Sequence, residues 1–119
     1  MKPINLQQKL SLFEDHWHPR IIGELNGQHV KIAKLKGTFV WHKHDAEDEL
    51  FFVVSGVLEM RFRDRTEVIR PGECIIVPRG VEHCPHAENE VEVMLFEPAS
   101  TVNTGDSDDA RRREHLDHI

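Results

Sequence analysis

The stretch FVWHKHDAEDEL (39–50) places His42 and His44 one residue apart and sets Glu49 five residues after His44. On a β-strand, residues of one parity leave the same face. The two imidazoles could therefore converge on a single ion while Lys43 points away. Of the acids Asp45, Glu47, Asp48 and Glu49, only Glu49 stands where the apolar run LFFVV begins. An antiparallel neighbour could set its carboxylate beside the histidines. His83 follows a strand-like run and the turn Pro78-Arg79-Gly80, where a chain reversal could bring in a fourth ligand. Three neutral imidazoles and a carboxylate suit one divalent transition metal, with Zn, Fe, Mn and Ni not distinguished by the donor set. An octahedral ion so held keeps two positions open for water, substrate or dioxygen, which is the style of a catalytic rather than a structural site.

Other side chains near these ligands have plainer readings. His86, three residues after His83, is a weak candidate for a general acid or base, because imidazole titrates near neutrality. Glu47 is a weak candidate proton carrier, and Asp45 and Asp48 read as a solvated loop. Cys84 neighbours His83 but has the opposite parity, so it reads as a structural thiol. Phe39 and Trp41 share the parity opposite to His42, which predicts packing under the N-terminal helix or at a subunit contact. Arg61 and Arg63 read as salt-bridged surface.

These residues need a scaffold, and the hydrophobic period supplies one. Leu6, Leu10, Phe13 and Trp17 form one stripe of an amphipathic helix over 1–18, with Asn5 and Gln8 resembling a capping box and Pro19 ending it. From residue 20 to 98 the period changes. IIGEL and QHVKIAKL flank Asn26-Gly27, a favoured hairpin turn. The runs 38–44, LFFVV, VLEMRFR, TEVIR, ECIIV and EVEVMLFE follow, divided by Pro and Gly. About eight short strands with regular turn signals predict an all-β sandwich or barrel, in a single domain. Residues 99–119 form a polar appendage in which Ser107 or Asp108 could cap a short helix. LFFVV is apolar on both faces, so a homodimer is expected to bury the face turned away from the barrel, with the protein's own helix as the competing cover.

The bulk properties narrow the partners. A chain of 119 residues is one domain's worth, and 39% apolar with 30% charged residues argues against wholesale disorder. The net charge of −6 argues against nucleic-acid binding, which needs a basic face, and Arg111–Arg113 reads as a solvated run. No run of 18 apolar residues suggests a membrane span, and MKPINLQQKL has no apolar leader region, so a cytoplasmic protein is expected. Cys74 and Cys84 read as free thiols there. The partner expected at the site is a small molecule.

The two clusters of residues resemble the motifs of the cupin family. Gly37, His42, His44, Glu49 and Gly56 follow its first motif, with four residues rather than about five between Gly37 and His42. Gly72, Pro78, Gly80 and His83 follow its second. Ala87 stands where the family has an asparagine that is not a ligand, and Asn89 lies two residues on. The resemblance implies a single-domain cupin barrel of jelly-roll type and a metal held by His42, His44, Glu49 and His83. It extends more loosely, through FEPASTVNTGD (96–106), to small cupins labelled sugar-phosphate-isomerase-like. That implies proton transfer beside a carbonyl on a carbohydrate. An Fe(II)-dependent dioxygenase is the rival enzyme, and a non-catalytic binding or sensing protein is the alternative of another class.

Overall fold

Asn26 and Gly27 adopt φ of 51° and 76°, the positive values that their two-residue turn demands. The turn closes a hairpin between β1 (Arg20–Leu25) and β2 (Gln28–Thr38). The computed structural model describes residues 1–119 and continues with β3 (Glu49–Ser55), β4 (Leu58–Phe62), β5 (Thr66–Ile69), β6 (Cys74–Val77) and β7 (His83–Pro98). All pairings between these strands are antiparallel, in the order β1-β2-β7-β3-β6, with β4 joining β5 to β7. The architecture is an all-β jelly roll.

The long strand β7 is what closes the barrel. Its first residues pair with β4, from Phe62↔His83 to Glu59↔His86, and its later ones pair with β3, from Leu50↔Phe96 to Ser55↔Glu92. Along its other edge it pairs with β2, with one register shift between Leu35 and Gly37. Phe51, Val53, Leu58, Met60, Val91 and Val93 fill the interior, as their shared parity requires.

Three expectations are corrected. There are seven strands rather than about eight, because residues 39–44 do not form one. Within that run the one β-bridge joins His42 to His83, with Phe39 N donating to Pro85 O beside it. The N-terminal helix is α1 (Leu6–Leu10), capped by the Asn5 side chain, and it does not run on to residue 18. Trp17 leaves the stripe, adopts φ 59° and stacks on Phe39 with ring centroids 4.5 Å apart. Its backbone N–H bonds Lys34 O, so pairing and packing override the helical pattern. The appendage forms no helix: the Asp109 carboxylate accepts from the backbone and guanidinium of Arg111. It runs back over the barrel as a strap, whose end is tied to β1 by Ile119 N→Ile21 O at 3.0 Å and Ile21 N→Asp117 O at 2.9 Å.

Leu10 and Phe13 pack on Ile32, with Val54 and Met94 beside them. The N-terminal segment thus covers part of the outer face of β3 itself. The chain has no helix long and apolar enough to cross a membrane.

Candidate metal centre

The four residues singled out as ligands come together. One ligand atom from each of His42, His44, Glu49 and His83 lies within 4.8 Å of all the others. None of the four is more than 4% exposed, so bulk water does not satisfy them.

Local chemistry explains how each is aimed. The His42 Nδ1 bonds Val40 O at 2.8 Å, and the His83 Nδ1 bonds Val81 O at 2.9 Å. A carbonyl only accepts, so both rings carry their proton on Nδ1 and keep a lone pair on Nε2. His42 and His83 also exchange both backbone hydrogen bonds, at 3.0 and 2.9 Å, which sets their rings side by side with centroids 4.3 Å apart. The loop of His44 is tied to the turn before His83 by Gly80 N→His44 O at 2.8 Å and by Asp48, which accepts from the backbone and guanidinium of Arg79. Asp48 is therefore a staple between the two ligand loops rather than a free solvated acid.

The inward atoms are the test of fit. His44 Nε2, His83 Nε2 and Glu49 Oε1 are sealed from solvent and have no hydrogen-bond partner. Yet Glu49 Oε1 lies 2.9 Å from His44 Nε2 and 3.3 Å from His83 Nε2. Buried polar atoms without partners are costly and rare. Here they converge, two imidazole nitrogens and a charged oxygen, on one point with His42 beside them. That donor set fits a divalent transition metal ion, which would replace every missing hydrogen bond at once. The electrostatics agree. Burial, with the His83 imidazole adding to it, pushes His42 down to about 4, so it stays neutral and ready to ligate. Burial acts to raise Glu49, but the imidazoles of His44 and His83 outweigh it and hold the carboxyl well below the usual range.

Beside this cluster lies a small cavity of about 40 Å³, walled by His42, Glu49, Trp17, Phe39 and the apolar interior. Phe39 does not face away from the site. It is edge-on to His42 at 5.5 Å and is sandwiched by Trp17 and by the Arg111 guanidinium at 4.7 Å. Trp41 lies outside, under Arg63 at 3.8 Å, and Arg63 also pairs with Glu82 as a surface arginine would. The strap closes the near side. Gly105 sits so close to Lys43 that an added Cβ would collide with its carbonyl oxygen and crowd the His42 ring. Asp106 then pairs with the Lys43 backbone in both directions.

His86 and Glu47 stand apart from the cavity. His86 bonds Thr38 Oγ1 at 2.7 Å and faces Glu88 and Glu59, while Glu47 accepts from Ser100 on the strap at 2.9 Å. Cys84 is buried, which pushes its thiol up and away from reactivity, and it is not part of the ligand cluster. Cys74 is exposed, and no disulfide joins the two.

One site residue escaped the sequence reading. Glu97, 3% exposed, lines the cavity and is held by Lys31 Nζ at 2.8 Å, itself 2% exposed. The register Phe51↔Leu95 and Leu50↔Phe96, carried one residue further, sets Glu97 level with Glu49 on the neighbouring strand. Burial and the Glu49 charge push the Glu97 carboxyl well above the usual range, and Lys31 pulls against them without prevailing. A signal was present: Glu97 shares the inward parity of Val91, Val93 and Leu95, and Lys31 shares that of Ala33 and Leu35.

Comparison with known proteins supports the same architecture. The family model described as a cupin domain matches residues 28–97. A crystal structure of a cupin-2 domain containing protein from Shewanella frigidimarina is 45% identical, covering 80% of this chain and 93% of that one, with a TM-score of 0.79. A protein from Neisseria meningitidis is 35% identical over 82% of this chain and all of its own, with a TM-score of 0.75. The uncharacterized protein YdbB of Bacillus subtilis is 36% identical over 63 residues, which span 52% of this chain and 56% of that protein.

Proposed function

The chain belongs to the cupin domain family, and from that premise we propose that it is a metal-dependent enzyme acting on a small, largely apolar molecule. One observation carries the reading: four buried donors converge, and three of their inward atoms lack any hydrogen-bond partner. His42, His44, Glu49 and His83 would hold the ion. When bound, it would supply a Lewis acid with open positions, able to polarise a ligating oxygen or to take up dioxygen. The chain's own residues do the rest. The interior excludes water, Trp17 and Phe39 give a flat wall to one side, and the strap bounds the near side of the cavity.

The cavity wall weighs on the choice of chemistry. A carbohydrate carries a hydroxyl on nearly every carbon, and each must find a partner when buried. Here most of the wall is hydrocarbon or aromatic, so the dioxygenase reading is favoured over isomerisation of a carbohydrate. Metal content and oxygen uptake of protein purified without added metal test this. Near-stoichiometric iron with oxygen uptake on an aromatic or aliphatic substrate panel supports it. Zinc with aldose–ketose exchange would restore the isomerase, and metal without turnover would make the protein a binding module.

We also propose a homodimer. Across the sheet, Ile76, Leu50, Phe96 and Val30 form one outward row by register, and Phe52 lies in the next. The N-terminal segment covers Ile32, Met94 and Val54 but leaves Ile76 61% exposed. A second copy would bury the remainder. Light scattering at micromolar concentration should give twice the chain mass of 13.8 kDa; a monomer mass would refute it.

A further inference from the structure

The cavity beside the ligand cluster measures about 40 Å³. A buried water needs roughly 10–15 Å³ of such space, so a few waters fill it. Ligand pockets run to about 300–1,000 Å³. A substrate of more than a few atoms therefore reaches His42 and Glu49 only if part of the wall moves. Most of the wall is fixed. Ala33, Leu35, Phe51, Val93 and Leu95 stand on β2, β3 and β7, within the paired sheet. Asn103 is held by its own strap, donating to Arg111 O at 2.9 Å and accepting from Arg113 N at 2.8 Å. Phe39 is tied to β7 by its N–H to Pro85 O at 2.9 Å and is covered by the Arg111 guanidinium.

Trp17 is the exception. It belongs to no helix or strand and adopts φ 59°, a strained value for a bulky side chain that persists only where its surroundings impose it. Three contacts do so. Its backbone N–H bonds Lys34 O and its indole N–H bonds Lys36 O, each at 2.9 Å, and its ring stacks on Phe39 at 4.5 Å. The loop is anchored on either side of it, by Lys34 Nζ→Phe13 O at 2.8 Å and by the pairing of Asp15 with Arg20 at the start of β1. The indole can thus leave Phe39 without the barrel or the ends of the loop giving way, and the backbone strain is released as it does. Resting on the reading of the cluster as a metal site, we infer that Trp17 is the specificity-determining gate of this cavity. It sets the size of ligand that reaches the ion, and a ligand of more than a few atoms takes the place of its indole on Phe39. The substrate class is thus a molecule with a flat, apolar portion to lie on Phe39 and a heteroatom to reach the ion.

Azide and 4-phenylimidazole probe this without knowledge of the substrate. Azide fits a space of a few waters, whereas 4-phenylimidazole adds a flat ring that the closed cavity has no room for. Each is titrated into Co(II)-loaded protein and followed by the visible absorption of the cobalt. A minor open form is populated at about 0.1–10%, and a ligand that needs it binds more weakly by that fraction. Trp17→Gly removes the indole and accepts the positive φ at no steric cost. 4-Phenylimidazole should therefore bind Trp17→Gly at least about tenfold tighter than the unaltered protein, while azide should change by no more than about twofold. No gain for 4-phenylimidazole, or an equal gain for azide, would overturn the inference. A second measurement keeps the gate intact. Trp41→Phe leaves Trp17 as the one tryptophan of the chain. In the zinc-loaded form of that variant, saturating 4-phenylimidazole should shift the emission to the red as the indole enters water, and azide should not. Unshifted emission with bound 4-phenylimidazole would overturn the inference as well. Failure to take up Co(II) at all would instead remove the metal reading, and this inference with it.

Discussion

The interior holds two buried polar groups of residues, and they are built on opposite plans. In the Lys31–Glu97 pair, donor meets acceptor at 2.8 Å inside the protein, and one carboxyl oxygen is left over. In the His42, His44, Glu49, His83 cluster the outward atoms are satisfied by Val40 and Val81 carbonyls, whereas three inward atoms have no partner. The pair is completed by the fold. The cluster is completed only by something the fold admits. A cluster of orphaned donors is a liability for stability and an asset for binding, and that contrast is the ground for proposing it as the functional centre.

Breaking the pair should cost most. Glu97→Leu strands the Lys31 ammonium in a site where it is 2% exposed, and thermal or urea unfolding should show a loss of roughly 3–5 kcal/mol. Lys31→Met should cost less, because Glu97 can shed its charge by holding a proton. Equal losses would mean that the carboxyl does not lie as high as its burial and Glu49 imply.

Breaking the cluster should act on the metal instead. His44→Ala removes a ligand, so it should weaken metal affinity by more than the roughly 10–100-fold typical of losing a hydrogen-bond partner behind a ligand. Unchanged metal content after dialysis would contradict the assignment.

Acid should separate the two regions further, because their titrations have opposite signs. His42 sits at about 4 when folded and near 6.5 when unfolded. Below pH 6.5 the unfolded chain therefore gains the proton first, and the metal-free fold loses on the order of 2–3 kcal/mol down to pH 4. Glu97 lies above its usual value, so it contributes stability that fades as pH rises from about 4.5 through its folded value. The two partly cancel between pH 4.5 and 6.5. Removing the pair with Lys31→Met/Glu97→Leu should leave the His42 contribution exposed, and unfolding midpoints in chelator should then fall more steeply with acidification than in the unaltered protein. Parallel curves would show that Glu97 does not titrate as its surroundings suggest.

The same contrast explains what could be read in advance. His42, His44, Glu49 and His83 sit in short local motifs bounded by glycine and proline. Residues 39–44 form no strand, however, and the two histidines of the first motif are placed by the His42–His83 bridge and the Gly80 N→His44 O bond rather than by strand parity. The strands were legible because alternation marks them. The Lys31–Glu97 pair is 66 residues apart in the chain and is made by the pairing of β2 with β7. Only a charged residue at an inward parity hinted at it, and that hint has no spacing rule to make it firm. Trp17 carried a misleading signal, since its place in a helical stripe gave way to stacking on Phe39. The strap was illegible for another reason. Its order comes from bonds to Ile21, Lys43 and Thr38, none of which a polar, unpatterned segment announces.

X-ray absorption at the metal edge tests the centre most directly. Protein loaded with one equivalent of zinc should show about three imidazole nitrogens and an oxygen at roughly 2.0–2.2 Å. His44→Ala, loaded in the same way, should lose one imidazole or fail to hold the ion. A shell containing sulfur near 2.3 Å, or one with fewer than two imidazoles, would contradict the account.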